Sequence, residues 1–68
     1  MMPDALSLAA YGLCEEVRAG IWDAALRRVS NGQPAASPEV INELRSRCPG
    51  HSVEEYQQAI AQGMFSSR

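Results

Sequence analysis

Apolar residues recur at helical spacing in four stretches of this chain, and polar or helix-breaking residues separate them. The clearest is the second half, Ser37 to Gly63, which contains two short helices joined by Cys48-Pro49-Gly50-His51. Val40, Ile41 and Leu44 fall on one face of the first, and Cys48 extends that stripe. Ser37 is a good N-cap, Pro38 suits the first helical position and Glu39 suits the positive end of the dipole. Pro49 disfavours helical geometry at Cys48, so the helix ends near Arg47, where Arg45 and Arg47 favour the negative end. Ser52-Val53-Glu54-Glu55 is a capping box opening the next helix. Val53, Tyr56, Ile60 and Met64 share its apolar face, and Gly63 is placed as the left-handed residue that ends it.

In the first half, Leu6, Ala10, Leu13, Cys14 and Val17 lie on one face of a helix that Pro3 and Asp4 can open. Its alanines and Gly12 make a slim surface that lets another helix approach. After Gly20 the apolar set becomes Ile21, Trp22, Ala25, Leu26 and Val29, rotated from the first at about 100° per residue. Either one bent helix or two helices satisfies this pattern, and the rotated face together with the glycine favours a break. Asn31 or Gly32 terminates the region, and Gln33 to Ala36 is a linker. The spacing thus predicts helices over about 4–18, 21–30, 38–47 and 53–62. Met64 and Phe65 are expected to fold back on the core, and the residues at either end to fray. The fold class is all-α: residues 1–68 as a single small helical domain, a compact bundle of three or four short helices with a C-terminal helix-turn-helix pair.

Composition narrows the function classes. Sixty-eight residues bury a modest core, and 46% hydrophobic residues argue against disorder. Asp4, Glu15 and Arg18 interrupt the N-terminal apolar stretch, so no membrane span is expected, and no basic region marks a signal peptide. The formal charge is −2, and acids outnumber arginines in both halves, which disfavours nucleic acid as a partner. All basic residues are Arg and none is Lys. With abundant alanine this fits a GC-rich genome, bacterial or that of a phage or plasmid. Two cysteines do not make a disulfide framework. Free, poorly accessible thiols in a cytoplasmic protein are expected, over a Cys14–Cys48 bridge tying the first helix to the third.

Candidate chemistry is sparse. Cys48 and His51 bring a thiol and an imidazole close in sequence, but on a tight turn with no third orienting residue. Adding Cys14 gives three soft ligands where a structural zinc site takes four. No catalytic, cofactor or metal residue is therefore assigned, and no enzymatic activity is expected. The helix-turn-helix outline raises DNA binding: Gln57, Gln58 and Gln62 can bond adenine, but Glu54 and Glu55 would repel phosphates. The expected function is non-enzymatic protein binding, as a small adaptor, inhibitor or regulatory protein, with a dimeric helix-turn-helix regulator as the alternative. The candidate partner-binding residues are Trp22, Leu26, Gln57, Gln58 and Phe65. Tyr11, Trp22, Tyr56 and Phe65 are each expected to close the small core; Trp22 or Phe65, if instead exposed beside Leu26 or Met64, becomes a partner hot-spot candidate. A homodimer is a further expectation, because the strip around Trp22 and Leu26 is rotated from the Leu6–Leu13–Val17 face and one partner hairpin need not cover both.

Overall fold

A computed structural model describes residues Asp4–Ser66. These form four helices: α1 (Ala5–Arg18), α2 (Asp23–Ser30), α3 (Pro38–Arg47) and α4 (Val53–Ser66). The helices pack compactly into an all-helical bundle, with α1 and α4 sharing the most extensive contact.

The starts follow from short-range hydrogen bonding. Asp4 Oδ1 accepts from the Ser7 N–H at 2.8 Å, and Ser37 Oγ accepts from the Val40 N–H at 3.4 Å. At α4 the capping box closes in both directions: the Glu55 N–H donates to Ser52 Oγ at 3.2 Å, and the Ser52 N–H donates to Glu55 Oε1 at 2.9 Å. Replacing Ser52 by Ala removes the acceptor for that helical N–H and is expected to cost about 0.5–2 kcal/mol. The denaturant midpoint of the purified variant measures this, and an unshifted midpoint would show that the box contributes nothing.

The stops at Gly20 and Gly32 share one geometry. Gly20 has φ +85° and Gly32 has φ +77°. The Gly20 N–H reaches Val17 O and the Ile21 N–H reaches Glu16 O; the Gly32 N–H reaches Val29 O and the Gln33 N–H reaches Arg28 O. Both are Schellman terminations, which need a left-handed residue that glycine adopts without strain. The chain therefore breaks into two helices at Ala19-Gly20. α2 starts at Asp23, two residues later than the spacing predicts, with Trp22 as an N-cap that makes no side-chain capping bond. Ile21, placed on the apolar face by periodicity, is used up in the termination of α1 and is 66% exposed.

The core is built from Leu6, Ala10, Leu13, Cys14 and Val17 of α1, Ala25 of α2, Val40, Ile41 and Leu44 of α3, and Tyr56, Ile60 and Met64 of α4. Ala35, from the linker, joins it. Several expectations are corrected here. α4 does not stop at Gly63 but runs to Ser66, with Gly63 buried inside it. The slim contact on α1 is at Ala10 rather than Gly12: a Cβ on Gly12 would have nothing within 4 Å, whereas one on Gly63 would meet Cys14 Sγ and the Ala10 carbonyl. Val53, on the apolar face by periodicity, is the first residue of α4 and is exposed. Met64 packs on the core as expected, but Phe65, one residue further round α4, is 67% exposed. Tyr11 is also exposed, so Tyr56 is the aromatic ring fully inside the core. The frayed tail expected from Ser66 is corrected at its first residue, which is the last residue of α4; the fraying expected at Met1, Met2, Ser67 and Arg68 lies outside the described residues.

Both cysteines are free thiols. Cys14 is completely buried and its Sγ donates to Ile60 O at 3.3 Å. Burial pushes this thiol up to about 11, so at neutral pH it stays protonated and acts as a small hydrophobe with a weak donor. Cys48 is half-buried. Among the described residues no helix is long and apolar enough to cross a membrane.

Candidate functional site

The linker between α2 and α3 does more than span a gap. Arg28 Nε donates to Pro34 O at 3.0 Å, which holds the linker against the end of α2. Ala35 is drawn into the core and Ala36 packs beside it, so this segment forms one wall of a surface groove. α4 forms the other wall with Gln57, Ala61, Met64 and Phe65. Val29 and the Arg18 and Arg28 side chains complete it. The groove has a volume of about 670 Å³ and opens to solvent. That lies within the range of about 300–1,000 Å³ common to ligand sites. Arg18 Nη2 donates to Met64 O at 2.6 Å, fixing the end of α1 to α4 beneath the groove.

The lining is apolar at Val29, Pro34, Ala35, Ala36, Ala61, Met64 and Phe65. Its polar groups are two guanidiniums, Arg18 and Arg28, and two carboxamides, Gln33 and Gln57. Among the described residues no acidic side chain lines it. On a chain of formal charge −2, the groove is a locally cationic, apolar depression.

The five candidate partner-binding residues separate in space. Gln57 and Phe65 line the groove. Gln58 lies on another side of α4, beside Leu6 and Glu55, at a smaller depression of about 250 Å³. Leu26 is half-buried against the core and does not line the groove. Trp22 is half-buried too, and its indole N–H donates to Glu16 Oε1 at 3.0 Å. The same Glu16 carboxylate takes a two-pronged bond from Arg47, whose Nη1 and Nη2 lie 2.8 and 2.9 Å from its oxygens. Arg47 Nε also donates to Glu43 at 2.9 Å. The Arg47 and Trp22 donors hold Glu16 below the usual glutamate range, and its two carboxylate partners raise Arg47. Trp22 thus belongs to a polar cluster tying α1, the α1–α2 connection and α3, and the strip around it is only partly exposed.

Sequence reasoning missed Arg18, Arg28, Ala61 and the linker as components of one site. The available signal was Pro34-Ala35-Ala36, an apolar run in a segment read as a spacer. The Cys48–His51 turn has a structural use. Tyr56 Oη donates to Cys48 O at 2.8 Å and accepts from the His51 N–H at 3.3 Å. The His51 ring packs edge-on to Tyr56, with Nδ1 3.6 Å from Glu55 Oε2. Among the described residues no three His, Cys, Asp or Glu side chains converge to hold a metal ion.

Compared with protein-family models, curated proteins and solved structures, the chain matches none.

Proposed function

We propose that this chain is a non-enzymatic protein-binding domain, a small adaptor, inhibitor or regulatory protein, and that it takes its partner in the groove between the α2–α3 linker and α4. The observation that carries this reading is the groove itself, with Phe65, an exposed large apolar residue, in its lining. Exposed apolar surface around a concave site is what a partner's side chains bury, and an aromatic ring there is a natural hot spot. A cytoplasmic, bacterial setting agrees with two free thiols and with the all-arginine basic composition.

This reading ranks above a dimeric helix-turn-helix regulator because α4, the helix that would enter the major groove, begins with Glu54 and Glu55. Those carboxylates meet DNA phosphates unfavourably. Affinity capture from the source cell with the native chain and with Phe65→Ala tests the assignment. A specific partner retained by the native chain is expected to be weakened by at least about tenfold in the variant. Equal retention by both moves the interface away from the groove, and a saturable, salt-sensitive mobility shift on DNA at low salt would favour the regulator.

A further inference from the structure

We infer that the occupant of the groove is a short peptide segment of a partner protein that presents a carboxylate next to large apolar side chains, with Arg28 as the residue that reads the carboxylate. The inference rests on the protein-binding reading above and specifies its ligand. Three features of the lining select this chemistry. The apolar lining from Val29, Ala35 and Ala61 accepts bulky hydrocarbon side chains. The Arg28 guanidinium is anchored through Nε on Pro34 O, among the described residues it forms no ion pair, and the residue lines the groove. A guanidinium held by one edge presents the planar fork that matches a carboxylate. Finally, the Gln33 and Gln57 carboxamides, one on each wall, each offer a donor and an acceptor, as an extended peptide backbone requires. A fatty acid would satisfy the apolar lining and the arginine but would leave the carboxamides unused.

A second copy of this chain fits less well. Among the described residues Asp4 is engaged on the Ser7 N–H, Glu16 and Glu43 on Arg47, Asp23 on Arg27 and Glu55 on the Ser52 N–H, and each would have to leave its partner to reach Arg28 of another molecule. Glu15, Glu39 and Glu54 are the acids a second copy could offer, a case that a concentration-dependent dimer would reveal.

The test is selection of a random peptide display library on the full chain, followed by anisotropy titration of synthetic peptides from the enriched clones. Enriched clones are expected to carry Asp or Glu beside Leu, Ile, Phe or Trp. Arg28→Glu is expected to weaken them by about tenfold or more, the range for losing a charge-assisted bond. Because Arg28 also holds the linker, the decisive arm is charge exchange: a peptide with Lys in place of its acid should bind Arg28→Glu better than the original peptide does. Groove-dependent binding, lost in Phe65→Ala, that ignores charge at position 28 would overturn the inference and leave the protein-binding reading standing. Failure to enrich any clone, or enrichment of clones indifferent to both substitutions, would overturn the two together. Octanoate displacing the peptides more tightly than they displace one another, or a concentration-dependent dimer dissolved by Phe65→Ala, would assign the groove to a lipid or to a second copy instead.

Discussion

Tyr56→Ala is expected to abolish the folded state under conditions where the native chain is folded. Tyr56 of α4 is the largest of the fully buried side chains among the described residues and belongs to the core that α1, α3 and α4 build. Truncating a buried aromatic ring to Ala costs about 3–5 kcal/mol. A domain of this length has little more than about 3–5 kcal/mol to lose. The conservative Tyr56→Phe isolates the hydroxyl. That group bridges the α3–α4 turn, accepting from the His51 N–H and donating to Cys48 O, while Arg45 lies 5.8 Å above the ring. Removing it leaves two part-buried backbone groups without a partner, a loss of about 1–3 kcal/mol. Urea denaturation followed by far-ultraviolet circular dichroism reads both variants. A Phe variant with the native midpoint would show that the turn holds without the hydroxyl.

The second large effect runs against helix propensity. Gly63 lies in the interior of α4, where Ala is ordinarily better by about 1 kcal/mol. A Cβ there would stand 2.8 Å from Cys14 Sγ and 3.2 Å from Ala10 O. Neither neighbour can easily move aside, since Cys14 is wholly buried with its thiol bonded to Ile60 O, and Ala10 O is backbone inside α1. Gly63→Ala is therefore expected to be net destabilising, within the overpacking range of about 1–3 kcal/mol, and Gly63→Val more so. Cys14→Ala in the Gly63→Ala background removes the closest contact and should recover part of the loss. A double-mutant cycle would then show a favourable coupling of about 0.5–3 kcal/mol. Stabilisation by Gly63→Ala alone would mean that α1 and α4 have room to separate.

What the sequence by itself determined is whatever is settled within one or two helical turns. The capping hydroxyls of Ser37 and Ser52, the proline after Cys48 and the glycines after α1 and α2 act on backbone groups a few residues away. Their positions therefore mark helix ends almost residue by residue, and the apolar period supplies the inward faces of α1 and α3. The tertiary structure decided the rest. Gly63 has the local signature of a helix stop, yet it is a close-packing residue because Cys14, remote in sequence, leaves no space for a side chain. Trp22 reads from the sequence as a ring that closes the core or, if exposed, a hot spot; it is half-buried on the core, with its indole N–H on the Glu16 carboxylate that Arg47 also holds. Phe65 ends up outside because α4 continues past Gly63 and turns that ring away from the core that Met64 enters. The groove is the extreme case: Arg28, Ala35 and Ala61 come from three segments whose apposition is a product of packing. Local hydrogen bonding reports on neighbours along the chain, whereas a concave surface exists only between elements that have already met.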